Sequence, residues 1–548
     1  MTGNSVEEKS SRSARGWLFY LKIALVAFAG CFVFTGGHLL SPDGELLYRT
    51  AESIALRGTL AVNPIEFDEA TEQLLVPPHQ TFATVLGRNG EYHVQYLPLQ
   101  PLLTVPLVWL AKGTEGLFAE AFFRTMPGHP THFTTDAVGT WRRAVTVALF
   151  NPLITALTAL LLARIAMTLT GRNRRAAAWT ALVYVFGTVA LPHSRSYFTE
   201  PLAGLLALLA IDQLLQWFAT PLRPEFGGRR LRQMVLLGGA LGAGIWTRMD
   251  SPLLAFGIGL ALVGAGELKR RREDAYGVSA GEWPWRDYLI SGGLTLGAFA
   301  LLIVFNQWRF AGNATLLGGG YSDQPEGVAL GTPLVVGLHG LLASPGKGLF
   351  FFSPALLLGV WGWSRLPAHY RWLGLAMLVA YLPFAWAMAK WQNWDGGWCW
   401  GPRHLVQLHA PIMLGMVFLF NGCEGFARRV AIKVLAIAGF GAAVYGCLQA
   451  PMEFYHEFFR TPDDGLYYEV AYRPTEYGDT MRMFALTVRN PETGSPMREV
   501  SPGAMPAPLI DSLYLPQHTQ WSGYATMLGM GRCDWWLLAR VLPKPEQP

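Results

Sequence analysis

Long apolar stretches, separated by short polar segments, run along most of the chain. Eleven of them approach the ~20 residues that a helix needs to cross the hydrocarbon core of a membrane. They lie at residues 17–40, 143–166, 176–192, 201–218, 234–247, 252–266, 288–306, 353–363, 372–389, 405–420 and 431–447. The pattern predicts an all-α polytopic membrane protein with about 11 transmembrane helices.

One further apolar segment, 96–111, differs from these because it contains Pro98, Pro101 and Pro106. Proline inside a helix removes a backbone hydrogen bond and distorts the turn before it. The segment therefore suits an interfacial or re-entrant piece better than a straight span, and we do not count it as a crossing.

Basic residues near the ends of the apolar stretches predict the orientation, because Lys and Arg favour the cytoplasmic side. With 96–111 not crossing, the clusters collect on one side: Arg12/Arg15, Arg172/Arg174/Arg175, Arg229/Arg230/Arg232, Lys269–Arg272, Arg365/Arg371 and Arg428/Arg429. If 96–111 crossed, every cluster after the first would lie outside. We therefore expect the amino terminus inside and the carboxyl terminus outside.

This orientation divides the chain into a cytoplasmic N-terminus (1–16), a transmembrane domain (17–447) and an extracytoplasmic C-terminal region (448–548). The transmembrane domain includes a long first extracytoplasmic loop, 41–142. In the C-terminal region, residues 481–488 alternate between polar and apolar, which predicts a strand in a small mixed domain. We find no internal repeat, which disfavours a transporter built on duplicated halves.

Composition supports a membrane protein. Hydrophobic residues make up 51% of the 548 residues and charged residues 15%, against roughly 25% charged residues in soluble domains. The net charge of +5 says little by itself, because the basic residues cluster in short loops. The apolar residues come in long blocks, so we do not predict nucleic-acid binding. The five cysteines lack metal-ligand spacing, so neither a zinc site nor a disulfide scaffold is indicated.

Carboxylates near the outer surface are the first candidates for chemistry, since ionisable residues near a membrane are costly unless they serve a function. Asp43 and Glu45 follow Pro42 at a predicted helix start, and Glu45, Arg49 and Glu52 share one face of that helix. Capping together with a row of surface ion pairs would explain the same pattern. Glu200 stands where the chain re-enters the membrane, and helix-dipole stabilisation explains it equally well.

Cations lie on the same predicted surface. Arg248, with Asp250 in its turn, separates two apolar stretches. Lys347 stands between two glycines that would let an anion approach, and Arg403 with His404 ends a turn rich in Gly and Trp. A carboxylate can deprotonate an acceptor hydroxyl while Lys and Arg stabilise a departing phosphate. This combination suits sugar transfer from a lipid phosphate.

In these features the sequence resembles the GT-C superfamily of polyprenyl-phosphate-sugar-dependent membrane glycosyltransferases, in particular its protein-mannosyltransferase and aminoarabinose-transferase branch. The resemblance comprises the span count, an acid just after span one, the segment Tyr96-Leu97-Pro98-Leu99, an acid at the entry to span four, and the turn Gly401-Pro402-Arg403. It covers residues 17 to about 447.

The resemblance implies an inverting glycosyltransferase with Asp43 as general base and Glu45 as a close rival. It implies that Glu200 orients the acceptor or a divalent ion. Lys347 and Arg403 would hold the leaving phosphate. Many relatives have a basic residue before the Tyr-x-Pro-Leu segment, whereas this chain has Gln95. Either Lys347, Arg248 and Arg403 take over that role or donor use differs.

The expected donor is a polyprenyl-phosphate-linked sugar, and the expected acceptor is a lipid, glycan or protein with a hydroxyl or amine group. We expect a multi-pass protein of a bacterial inner membrane, surrounded by lipid. No cofactor is implied with certainty, and a divalent cation stays open. Two other functions also stay open: a transporter or flippase of lipid-linked sugar, and a non-catalytic envelope assembly protein.

Overall fold

The protein is described here by a computed structural model covering most of the chain. The described residues are 3–62, 83–87, 89–125, 136–275, 284–310, 330–391, 394–397, 399–420, 425–451, 454, 467–473, 483–489, 496–500, 519–530 and 533–535.

Helices dominate the described residues. In chain order they are α1 (Gly3–Val33), α2 (Pro42–Arg57), α3 (Leu99–Thr125), α4 (Ala137–Leu169), α5 (Arg174–Gly187), α6 (Ala190–Ser194), α7 (Glu200–Ala219), α8 (Gly227–Ile245), α9 (Ser251–Ala275), α10 (Trp285–Phe310), α11 (Leu334–Ala343), α12 (Leu349–Phe352), α13 (Leu356–Trp363), α14 (Arg371–Lys390), α15 (Val406–Leu414), α16 (Phe426–Tyr445) and α17 (Gln520–Gly529). A 3₁₀ turn, Arg403–Leu405, leads into α15, and another, Gly415–Phe420, extends it.

Eight helices in the described part of the chain are long and apolar enough to cross a membrane, so this is a multi-pass membrane protein. All but one coincide with expected spans: Gly16–Val33, Ala137–Leu169, Glu200–Ala219, Ser251–Ala275, Trp285–Phe310, Ala368–Lys390 and Arg403–Phe420. The remaining expected spans are also helical. Of these, α5 and α13 are short, whereas α8 and α16 each carry three basic residues.

The eighth apolar helix is α3, which includes most of the segment expected to be interfacial or re-entrant. The three prolines do not break it: Pro98 precedes the helix, Pro101 falls in its first turn, where a missing N–H costs little, and Pro106 is accommodated inside. Its length and composition would allow it to span. That the segment does not cross stays a prediction.

Close helix crossings depend on small residues, as is usual inside membranes. At Gly257 of α9, a Cβ atom would stand 2.2 Å from the carbonyl oxygen of Ala380 in α14. At Gly238 of α8, it would stand 2.5 Å from the carbonyl oxygen of Ser291 in α10. Any larger residue at either position would force the two backbones apart.

Strands occur in two places. In the first loop, β1 (Thr84–Leu86) pairs antiparallel with β2 (Tyr92–Val94), with Val85 opposite His93. After α16, β3 (Tyr467–Arg473), β4 (Met483–Arg489) and β5 (Pro496–Val500) form an antiparallel sheet in that order. β4 confirms the strand expected from the alternation in residues 481–488.

The last described helix, α17, packs on the transmembrane helices through an aromatic cluster. Tyr524 stacks on Trp400 with ring centroids 4.9 Å apart, and Trp521 stacks on Tyr445 at 5.3 Å. Gln520 donates to the carbonyl oxygen of Cys399 at 3.0 Å. Part of the region 448–548 is therefore built into the same core as the turn before α15.

Candidate active site

The carboxylate of Asp43 is presented at the amino end of α2. Ser41 caps this helix by accepting a hydrogen bond from the N–H of Gly44, and Pro42 occupies its first turn. The Asp43 side chain is 19% exposed. Its Oδ1 accepts from the Tyr96 hydroxyl at 2.6 Å, and its Oδ2 accepts from Arg403 Nη1 at 2.8 Å.

The carboxylate of Glu200 comes from the first turn of α7 and is buried. The loop that leads to it is fixed by Asn151, whose Nδ2 donates to the carbonyl oxygens of Ser196 and Phe198 at 2.6 and 3.0 Å. Glu200 Oε1 lies 2.6 Å from Arg248 Nη1 and 3.1 Å from Arg403 Nε. In the described part of the chain, Oε2 accepts no hydrogen bond.

Arg403 joins the two carboxylates. Its Nη1 contacts Asp43, its Nε faces Glu200, and its guanidinium carbon lies 4.6 Å above the centre of the Phe198 ring, a cation–π contact. The turn before it requires Gly401, whose φ of 68° is left-handed and where a Cβ would meet Phe352 at 2.9 Å.

Arg248 closes the other side of Glu200. It donates from Nη2 and Nε to Asp250 at 2.7 and 3.0 Å, and from Nη1 to the hydroxyl of Thr199 at 3.0 Å. Burial alone would lower the pKa of Arg248, but the carboxylates of Asp250 and Glu200 outweigh burial and raise it. Arg248 therefore stays positively charged and lies in contact with the carboxylates of Glu200 and Asp250.

The structure thus brings together five of the eight residues singled out from the sequence: Asp43, Tyr96, Glu200, Arg248 and Arg403. They come from five separate stretches of the chain and meet near the ends of helices. We call this group the acid–arginine cluster.

Glu45 lies outside the acid–arginine cluster. It is fully buried and accepts from Arg143 Nη2 at 2.5 Å and Nε at 2.8 Å, and from Arg49 Nε at 2.7 Å. Residues two apart on a helix point in different directions, which explains why Asp43 reaches the cluster and Glu45 does not. The expected Glu45–Arg49 pair is present, but it is buried rather than on the surface.

Lys347 and His404 support the turn that carries Arg403. Lys347 is completely buried, and its Nζ donates to the carbonyl oxygens of Gly397 and Cys399, both at 2.7 Å. His404 is also buried, with its ring centre 4.7 Å from that of Trp391. Neither residue presents its side chain as an exposed cation to a ligand.

Sequence reasoning missed a second cation beside the cluster, Arg309 at the end of α10. It is 3% exposed, and in the described part of the chain it pairs with no carboxylate. Its Nη1 donates to the carbonyl oxygen of Tyr96 at 3.2 Å, and its Nε has no hydrogen-bond partner there. Its position after an apolar stretch resembles that of an ordinary span-end residue, so no sequence signal distinguished it.

His93 of β2 lies next to Arg309 and the Phe310 ring. Burial lowers the pKa of His93, and the positive charge of Arg309 lowers it further. Within the described residues, the guanidinium beside His93 has no carboxylate to balance its charge, an arrangement that favours a bound anion.

Arg403 separates the two carboxylates of the cluster. Both Asp43 and Glu200 face the guanidinium of Arg403, so its N–H groups take up the space between the two carboxylates. Among the described residues, no group of three His, Cys, Asp or Glu side chains could hold a metal ion.

No family model matches the chain, and no curated protein sequence matches it. Among solved structures it is similar to ArnT from Cupriavidus metallidurans bound to undecaprenyl phosphate, with 16% identity and a TM-score of 0.42 over 81% of this chain and 69% of that chain. It is also similar to the oligosaccharyltransferase AglB from Archaeoglobus fulgidus in complex with an inhibitory peptide and a dolichol-phosphate, with 11% identity and a TM-score of 0.41 over 81% of this chain and 58% of that chain.

Proposed function

We propose that this protein is an inverting glycosyltransferase that moves a monosaccharide from a polyprenyl-phosphate carrier to an acceptor hydroxyl or amine on the extracytoplasmic face of a bacterial inner membrane. One observation carries the proposal: Arg403 bridges the carboxylates of Asp43 and Glu200 at the ends of apolar helices. A base and a phosphate-binding cation are thereby in contact where a lipid headgroup would lie.

Asp43 acts as the general base. It takes the proton of the acceptor hydroxyl as that oxygen attacks the anomeric carbon and the carbon–oxygen bond to the phosphate breaks. The proton stays on Asp43, and the electron pair leaves with the polyprenyl phosphate. The unused Oε2 of Glu200 accepts a hydrogen bond that orients the acceptor.

Arg403 controls when the base is available. Without donor, both oxygens of Asp43 are occupied, one by Tyr96 and one by Arg403. A phosphate is a strong acceptor for guanidinium, so a bound donor competes for Arg403. This competition frees Oδ2 of Asp43, and the arginine then stabilises the charge that builds on the departing phosphate.

Arg309 supplies the second positive charge to the leaving group. Tyr96 connects it to the base, because the Tyr96 hydroxyl binds Asp43 while the Tyr96 carbonyl oxygen binds Arg309. Arg309 thus supplies the positive charge that a basic residue at position 95 would otherwise provide. Lys347 acts indirectly, since its ammonium group fixes the turn that carries Arg403.

The test is sugar transfer by purified protein in detergent, with a panel of short-chain polyprenyl-phosphate sugars and with lipid, glycan and peptide acceptors. Transfer without any gradient supports an enzyme. A transporter or flippase would bind these lipids without cleaving the sugar–phosphate bond, and a scaffold would do neither. Asp274→Asn, a change to an exposed acid on α9, serves as the matched control for Asp43→Asn.

A further inference from the structure

A second buried ion network lies beside the loop that carries Glu200. Its centre is Asp534, whose side chain is 2% exposed. Asp534 Oδ1 is 2.5 Å from His38 Nε2, and Asp534 Oδ2 pairs with Nη2 of Arg195. The three residues come from the end of α1, the start of the Glu200 loop and the far end of the chain.

Arg195 depends on this network for its counter-charge. It is fully buried, its Nη1 donates to the carbonyl oxygen of Cys447, and Asp534 is its carboxylate partner in the described part of the chain. Burial alone would lower the pKa of Arg195, but the charge of Asp534 outweighs burial and raises it. Space around the pair is tight, since a Cβ at Gly36 would stand 2.7 Å from Arg195 Nη2.

The backbone around Asp534 is tied to the ends of two helices. The N–H of Asp534 donates to the carbonyl oxygen of Leu448, just beyond α16, at 2.7 Å. The indole of Trp535 donates to the carbonyl oxygen of Val33 at 3.0 Å and stacks on Phe34 with centroids 4.8 Å apart. Residues 533–535 therefore form a strap across the ends of α1 and α16.

The network connects directly to the acid–arginine cluster. Arg195 is the residue before Ser196, and the stretch from Ser196 to Glu200 supplies the Asn151 contacts, the Phe198 ring beneath Arg403, and Glu200 itself. The stretch follows Arg195, whose positive charge pairs with Asp534. It ends at Glu200, whose negative charge faces Arg403 and Arg248. Both ends of the loop are thus anchored electrostatically.

We propose that Asp534 is a positioning residue for the transferase: through its ion pair with Arg195 it fixes the 196–200 loop, and therefore sets where Glu200 and Phe198 hold Arg403. This inference rests on the proposed function, but it also makes a claim about the loop itself. It assigns a catalytic consequence to the carboxylate of Asp534, although that carboxylate lies outside the cluster.

The experiment compares wild type with Asp534→Asn, which keeps the shape and one acceptor oxygen but leaves the Arg195 charge unpaired. Trp535→Phe is the matched control, because it loosens the same strap without changing a charge. Transfer rates, the pH dependence of kcat and backbone hydrogen exchange in residues 196–203 are measured on folded protein well below its Tm.

We expect kcat of Asp534→Asn to fall by up to about 10²-fold, the scale of an ångström-sized misplacement. Movement of the loop changes the charges around Asp43, so the acidic limb of kcat shifts. Exchange in 196–203 rises. Trp535→Phe changes none of the three beyond about twofold.

Unchanged kcat, acidic limb and exchange in Asp534→Asn would overturn the inference, whatever happens to its Tm. If this variant does not fold, the Arg195→Gln/Asp534→Asn double variant removes both buried charges, and the same readouts decide. If wild type itself transfers no sugar, the proposed function fails, and hydrogen exchange alone decides whether Asp534 fixes the loop.

Discussion

Arg403 donates a hydrogen bond to Asp43 at 2.8 Å, although 360 positions separate them in the chain. The contact joins the amino end of α2 to the turn before α15, and it pairs the proposed base with the proposed phosphate ligand. In the resting protein each of these residues holds the other in an unreactive state. The predictions below follow from this pairing and from the residues around it.

Asp43→Asn removes the base but keeps a group that can still bond to Tyr96 and Arg403. We expect transfer to fall by about 10²- to 10⁴-fold, the usual contribution of general-base catalysis, with no loss of folded protein. Rates and size-exclusion profiles of wild type, Asp43→Asn and Asp274→Asn provide the measurement. Turnover close to wild type in Asp43→Asn would remove this residue from the mechanism.

Glu45→Gln should lower stability rather than activity, because Glu45 is buried against Arg143 and Arg49. Breaking a buried pair leaves an uncompensated charge and costs about 3–5 kcal/mol. We expect a lower Tm and lower yield, with kcat per folded molecule near the wild-type value. A stable Glu45→Gln protein without activity would instead favour Glu45 as the base.

Measurements of donor affinity should distinguish the role of Arg403 from that of Lys347. Arg403→Ala removes charge-assisted hydrogen bonds to the phosphate, each worth about 1.5–3 kcal/mol, so the Kd of a short-chain polyprenyl-phosphate sugar should rise at least tenfold. In folded Lys347→Met, the Kd should stay within a few-fold of wild type while the Tm falls. Equal weakening by both substitutions would indicate that Lys347 also meets the phosphate.

Chelation should leave the transfer rate unchanged, because arginine takes the place between Asp43 and Glu200 that a divalent cation would need. The measurement is the rate after dialysis against EDTA, followed by addition of Mg²⁺ or Mn²⁺. A rate that is lost on dialysis and restored by either ion contradicts this assignment.

Acidification should destabilise the protein through His193. Burial lowers the pKa of His193 to about 3, despite the hydrogen bond between its Nε2–H and the carbonyl oxygen of Trp400. The unfolded chain binds a proton near pH ~6.5 while the folded protein does not, so stability falls by about 1.4 kcal/mol per pH unit below that value. Tm measured from pH 7 to pH 4.5 tests this, and His193→Gln should reduce the slope.

The sequence was enough to predict the helical membrane architecture and to assign Asp43, Glu200, Arg248 and Arg403 to one predicted surface, because apolar length and basic loops assign each residue to a side. Their mutual contacts were not predicted. The sequence could not rank Asp43 above Glu45, since Arg143, the partner that neutralises Glu45, lies 98 positions away. The ion pair between them forms only when α2 packs on α4.

Two other sequence patterns correspond to local structure that the sequence does not specify. Glycines beside Lys347 suggested an anion, but the same open backbone lets carbonyl oxygens of the 397–399 turn bind the ammonium. The prolines in 96–111 suggested an interfacial or re-entrant segment, and most of it is helical: Pro98 precedes α3 and Pro101 stands in its first turn, where it is compatible with a helix. Pairings such as Arg195 with Asp534 carry no local signal at all.

Tyr96 contacts its two neighbours by chemically different means. Asp43 is bound by the side-chain hydroxyl, which any substitution other than a hydroxylated one of similar reach would delete. Arg309 is bound by the main-chain carbonyl, which every amino acid possesses. A substitution at position 96 can therefore change the hydrogen bonding of the proposed base, Asp43, without removing the contact to Arg309. The part of the site around Asp43 and the part around Arg309 are thus free to diverge independently.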